Sequence, residues 1–142
     1  MKNVFAKTSL SAILMALIIL PSFTSCKKDK KPTLRDELVA EWEIKSFTVD
    51  GVELKGVVVL ASEMEFESYS GSNGDFKWSI NYTDGTSEIA SGDYTVDEED
   101  AEVELENNDG DRIKFDVEVN NNDLELSGTI DGERYILKAE RD

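Results

Sequence analysis

Ile113-Lys114-Phe115-Asp116-Val117-Glu118-Val119, then Asn120-Asn121-Asn122, then Asp123-Leu124-Glu125-Leu126, places an apolar residue at every second position with charges between. Successive side chains of an extended chain point to opposite faces, so each run predicts a strand with one buried and one wetted side. The pattern recurs upstream. Met64 and Phe66 alternate with Glu63, Glu65 and Glu67; Phe76, Trp78, Ile80 and Tyr82 with Lys77, Ser79 and Asn81; Val103 and Leu105 with Glu102, Glu104 and Glu106. Adding Trp42–Val49, Ser87–Val96 and Arg134–Glu140 gives eight strands. Between them stand Asp50-Gly51, Gly71–Gly74, Asp84-Gly85, Asp97–Asp100, Asn108-Asp109-Gly110, Asn120–Asn122 and Asp131-Gly132. None is long enough for a crossover helix, so the sheet is antiparallel and sequential. Ahead of it, Thr33 and the spacing of Leu34 and Leu38, with Asp36 and Glu37 in the first turn, predict a short helix over Thr33–Ala40.

Cross-strand partners must share a face, which fixes the register. A two-residue turn at Asp131-Gly132 sets Leu126 against Leu137, Leu124 against Ala139 and Glu125 against Lys138. A three-residue loop at Asn108-Asp109-Gly110, with Gly110 left-handed, opposes Leu105 to Ile113, Val103 to Phe115 and Glu104 to Lys114. A four-residue loop at Asn120–Asp123 opposes Val119 to Leu124 and Val117 to Leu126. Between Ile89 and Tyr94 the apolar phase moves from odd to even positions, so a bulge is expected at Ser91-Gly92.

Eight sequential strands, each apolar on one side, bury that side by closing into a barrel or by stacking as two sheets; closure also removes exposed edges. Ala40-Glu41-Trp42 opening the first strand, Gly92-Asp93-Tyr94-Thr95-Val96-Asp97, and Leu126-Ser127-Gly128 near the end resemble the lipocalin-like (calycin-type) domains of small bacterial lipoproteins, over about Leu38 to Arg141. Ala40 stands where that pattern has glycine. The resemblance implies an all-β, eight-stranded antiparallel up-and-down barrel with a short N-terminal helix. It also implies an arginine near the end of the last strand, here Arg141, over the first-strand tryptophan, Trp42; the alternative is a solvated C-terminal arginine.

The chain's 142 residues less a 25-residue leader leave 117, room for one domain and too few for two. It carries 15 Lys+Arg against 31 Asp+Glu, a formal charge of −16, and loss of two leader lysines takes it to −18. Such a charge argues against nucleic acid as a partner. With no histidine and one cysteine, Ser-His-Asp and Cys-His catalysis, His/Cys zinc sites and an internal disulfide are excluded. No cofactor is expected, and an enzyme is the class with least support.

Met1–Lys7 holds Lys2 and Lys7 without an acid, and Leu10–Leu20 is apolar apart from Ser11, as in a secretory signal. That run is too short to span a bilayer, which takes ~20 helical residues. Pro21-Ser22-Phe23-Thr24-Ser25-Cys26 then resembles the lipobox of bacterial lipoproteins, with Phe23 where leucine is usual. The resemblance implies residues 1–25 as signal peptide, acylation of Cys26, and a tether over 26–32 leading to a barrel domain over 33–142. An ordinary signal peptide is disfavoured because bulky Phe23 would occupy its −3 position. The resemblance further implies membrane attachment through acylated Cys26 in the cell envelope, on the outer membrane with the body periplasmic or surface-facing, and two or three acyl chains would make that attachment stable. Lys27–Lys31 nets +3 while the rest of the body, with 9 basic and 30 acidic residues, nets −21. A basic collar at anionic headgroups and a simple solvated tether both fit that segregation.

The inward series is almost wholly apolar, so two functions stay open. One is a cavity for a small apolar ligand, lined by Phe66, Trp78, Tyr82, Phe115 and Tyr135, with Val58 and Leu60 at the mouth. The other is an envelope structural or protein-interaction module whose aromatic rings fill the barrel. Val57-Val58-Val59-Leu60 is apolar without alternation, and is either a lid over the mouth, as the resemblance implies, or a strand extension buried on both sides. Asp97-Glu98-Glu99-Asp100 and Asn107–Asp111 suggest calcium, but counting back from Gly110 puts Leu105 at the first EF-hand position. Hairpin turns explain both clusters, so no metal is expected. The sequence does not set the oligomeric state.

Overall fold

In the computed structural model, which describes residues 30–142, a helix α1 (Leu34–Leu38) leads into β1 (Ala40–Val49), β2 (Val52–Glu53), β3 (Val59–Phe66), β4 (Gly74–Tyr82), β5 (Ser87–Asp97), β6 (Glu102–Asn107), β7 (Arg112–Asn120), β8 (Asp123–Ile130) and β9 (Glu133–Arg141). Residues 1–25, Cys26 and the first part of the 26–32 tether lie outside the described residues. Each barrel strand pairs antiparallel with the next, and β9 returns to pair with β1. The result is a closed eight-stranded up-and-down barrel, with the two-residue β2 as an extra hairpin on β1. Closure leaves no long edge strand unpaired.

Hairpin chemistry sets most of the register. Asp131 (φ 52°) and Gly132 (φ 87°) both adopt the positive φ of a tight two-residue turn, and Leu126–Leu137, Leu124–Ala139 and Glu125–Lys138 are opposed as expected. Gly110 is left-handed at φ 89°, and Leu105–Ile113, Val103–Phe115 and Glu104–Lys114 are opposed. At Asn120–Asp123 the pairing is as expected, Val119 to Leu124, but Asn120 and Asp123 themselves pair, so the turn proper is Asn121-Asn122 with Asn121 at φ 58°.

Two irregularities correct the expected phase. The bulge placed at Ser91-Gly92 is absent: β5 pairs without a shift from Gly74–Tyr94 to Asn81–Ser87 on one side and from Gly92–Asn107 to Asp97–Glu102 on the other. Tyr94, fully buried, fixes the even phase, so Ile89 turns outward and Glu88 shares the inward face with Ile80. Gly92 serves instead as a close-approach point, because a Cβ there would lie 2.0 Å from the Glu106 carbonyl oxygen. A shift does occur in β1, between Ile44 and Ser46 against β9, and it brings Phe47 inside opposite Leu137.

The interior is packed from the helix-bearing end upward. Leu38, Trp42, Ile44, Met64, Tyr94, Val103, Leu126 and Leu137 are fully buried, and Phe66 and Phe115 are 1% exposed. Tyr94 meets Phe66 edge-on at 4.9 Å and Tyr69 at 5.3 Å.

The helix seals this end. Thr33 and Asp36 exchange side-chain-to-backbone hydrogen bonds of 3.2 Å, and the Glu98 carboxylate accepts from the Leu34 and Arg35 amides at 2.9 and 3.0 Å. Trp42 Nε1 donates to the Leu38 carbonyl at 2.8 Å, ending the helix one turn after it starts.

Candidate functional site

At the end opposite α1 the inward series changes character. Val49, Ile80, Tyr82, Ala90, Ile113, Ile130 and Tyr135 lie only half-buried there, packed on the core beneath them. Their register partners place them on the inner face: Tyr82 opposite Val59, Tyr135 opposite Val49 and Gly128, Ile113 opposite Leu105. Trp78 and Phe47 form the floor at 6.0 Å between ring centroids, and Tyr135 meets Phe47 edge-on at 6.1 Å. Trp78 retains 8% exposure and its Nε1 donates to Ser62 Oγ at 3.0 Å, which satisfies the buried hydroxyl as well. The result is an aromatic-floored apolar mouth over a filled barrel.

Two carboxylates stand at the rim. Tyr82 Oη donates to Glu88 Oε2 at 2.8 Å, and Tyr135 Oη points to Glu133 Oε2 at 3.5 Å. Burial, then the Glu88 hydrogen bond and charge, push the Tyr82 hydroxyl up to about 12. Burial and the Glu133 charge raise Tyr135 too, so both hydroxyls remain neutral donors at physiological pH.

The sequence-derived site residues divide. Trp78, Tyr82 and Tyr135 come together at the mouth. Phe66 lies deep, against Tyr94 near the sealed end, and Phe115 packs in the core beside Gly128, so neither lines an open space. Leu60 sits at a register shift between Val59 and Ala61 and is 61% exposed, and Val58 is 45% exposed.

The Val52–Leu60 segment is neither a strand extension buried on both sides nor loose over the mouth. The Leu54 carbonyl accepts from Val57, Val58 and Val59 amides, Thr83 bonds the carbonyls of Val57 and Val58, and Lys55 Nζ reaches the Leu60 carbonyl at 2.9 Å. Glu53 pins it further, accepting from Ser46 Oγ and from the Phe47 and Lys55 amides. Partial burial opposes ionisation of Glu53, yet these hydrogen bonds outweigh it and hold the carboxyl below its ordinary value.

Depressions in the surface lie on the outer wall. One of about 220 Å³ is edged by Glu41, Glu43, Glu63, Glu65, Lys77 and Asp142, and another of about 520 Å³ by Asp97, Glu98, Glu99, Glu102, Glu104 and Lys114. Glu41 opposes Glu65 and Glu43 opposes Glu63 directly across the strands, a like-charge arrangement eased by Lys45 at 2.5 Å from Glu43. Among the described residues no group of three acidic or Cys side chains is arranged to hold a metal ion.

The wall has designed counterparts. A redesigned β-barrel superposes with a TM-score of 0.60 at 17% identity, over 78% of this chain and 96% of that one. A de novo designed fluorescence-activating β-barrel gives a TM-score of 0.57 at 18% identity, over 79% of this chain and all of the other. At such identities the likeness is one of fold. No family model and no curated protein sequence matches the chain.

Phe47, Glu88 and Ser62 are among the inward residues that the sequence reading did not place. Phe47 is inward because of the β1 shift, and Glu88 because β5 has none. Their signals were present as the three-residue step from Ile44 to Phe47 and the odd position of Ile89. Ser62, the partner of Trp78, shares the phase of Met64 and Phe66, but its polar side chain hides that position.

Proposed function

We propose that this chain is a lipid-anchored, lipocalin-like lipoprotein of the cell envelope that holds a small apolar ligand in the mouth of its barrel. The observation that carries the ligand reading is the exposure gradient along the inner wall. At the α1 end Leu38, Trp42, Phe66 and Tyr94 are buried, with Val96 and Val119 of the inward series half-buried, whereas at the far end Val49, Ile80, Tyr82, Ile113, Ile130 and Tyr135 all keep apolar surface open to solvent. A mouth lined by apolar groups and a few fixed polar ones has the make-up of a small-molecule site.

Attachment rests on the lipobox-like Phe23-Thr24-Ser25-Cys26.

Two measurements test the reading. A neutral solvatochromic dye such as Nile red is expected to shift to the blue on binding, and Ile130→Glu to abolish that shift while circular dichroism stays unchanged; an unaffected shift contradicts binding at the mouth. Cys26→Ser is expected to release the protein from membranes, and continued tight association contradicts acylation as the anchor.

A second reading, a filled barrel that contacts a protein partner through its outside, draws on Val52, Val57, Val58 and Leu60. These are 62%, 70%, 45% and 61% exposed within one short segment. Substituting Val52 and Val57 by Ser separates the two: dye binding at the mouth survives this change in the ligand reading.

A further inference from the structure

We infer that the ligand of the mouth carries a positive charge, an ammonium or guanidinium joined to an apolar or aromatic body. The inference rests on the mouth being the binding site and adds the chemistry of what enters it.

Along the barrel strands the inward series is apolar or small through the middle, and it carries two carboxylates, Glu88 opposite Ile80 and Glu133 opposite Ile130. Both stand at the mouth. The polarity of β5 is inverted at this level, with Ile89 66% exposed on the outer wall while Glu88 takes the inner face. Sequences break the local rule of apolar-in, charged-out mainly where function requires it. Below the rim, Trp78, Phe47 and Tyr135 form an aromatic floor, and an organic cation binds aromatic faces by attraction to the ring quadrupole. The tyrosine hydroxyls donate toward the rim carboxylates and so hold them at the opening.

The surrounding field agrees. A chain of net charge −16 attracts cations and repels anions such as fatty acids. The opposite end of the inward series has Arg141, engaged over Trp42, so the two carboxylates have no inward cation of their own at the mouth.

The test uses three probes of similar size, benzyltrimethylammonium, benzyl alcohol and phenylacetate, titrated into the full chain. The readout is the indole N–H resonances of Trp78 and Trp42, distinguished with Trp78→Phe. Trp78 at the floor is expected to shift saturably while Trp42, at the sealed end, stays still. The cation is expected to bind about tenfold tighter than the alcohol, with phenylacetate weakest. Glu88→Gln, a rim substitution, is expected to bring the cation to the affinity of the alcohol, and Glu133→Gln to lower it. Equal binding of cation and alcohol, or unchanged cation affinity in Glu88→Gln, overturns the charge assignment and leaves the mouth as an apolar site. No Trp78 shift with any probe overturns both.

Discussion

The guanidinium carbon of Arg141 lies 4.9 Å from the centre of the Trp42 ring, and its Nη2 donates to the Glu37 carbonyl at 2.6 Å. One side chain from the last strand thus joins the first strand to the sealing helix, across the β1–β9 closure. Trp42 in turn holds the helix through the Leu38 carbonyl, so three elements that meet only when the barrel closes are tied at one point.

Arg141→Ala is therefore expected to lower stability by about 1–2 kcal/mol, combining a cation–π contact with a charge-assisted hydrogen bond. Urea unfolding checks it. Lysine at the same position keeps the charge but loses the planar fork, and should recover only part of the difference.

Gly92→Ala is expected to be the more damaging of two glycine substitutions. Its Cβ would meet backbone, the Glu106 oxygen at 2.0 Å and Asn107 Cα at 2.8 Å, and backbone in a paired strand has little room to yield. A loss of about 2 kcal/mol or more is expected. Gly110→Ala meets nothing within 4 Å and bears only the strain of φ 89°, about 1 kcal/mol. Thermal or chemical unfolding of the pair gives the order directly.

The eight barrel strands and their antiparallel order were legible because buried and wetted positions alternate so cleanly in Ile113–Val119 and its neighbours, whereas the same alternation fits two stacked sheets equally well and closure is decided by the β1–β9 pairing. Turn residues then fixed the register at Asp131-Gly132 and Asn108–Gly110. Phase inside a long strand was harder to read. Ile89 invites burial, yet the large ring of Tyr94 five residues later decides which face of β5 is inside, and a competition between two side chains on one strand is settled by three-dimensional packing. The division of the candidate site has a similar cause. Phe66 and Phe115 look like Trp78 and Tyr135 in the sequence, and only their height along the barrel axis separates filler from lining.

Ser62→Ala removes the acceptor of Trp78 Nε1 in a site where Ser62 is 1% exposed. An indole N–H left without a partner near the core is expected to lower stability by about 1–2 kcal/mol. Ser62→Thr keeps an acceptor and separates the hydrogen bond from the packing change.

Acidification should loosen the Val52–Leu60 segment before the barrel. Glu53 is held below the ordinary carboxylate value by its hydrogen bonds, so its contribution is complete above about pH 4.3 and is lost as pH falls through the lowered folded value. Amide exchange at Val57, Val58 and Val59 is expected to quicken there while Leu126 and Leu137 stay protected. Glu53→Gln should show the faster exchange already at neutral pH.

Acrylamide quenching of tryptophan fluorescence tests most directly the claim that the barrel is sealed at the helix end and open at the other. Trp78, 8% exposed at the floor of the mouth, is expected to be quenched measurably more than Trp42, which is fully buried, when each is isolated by a Trp→Phe substitution at the other position. Equal quenching of the two, or stronger quenching of Trp42, would contradict it.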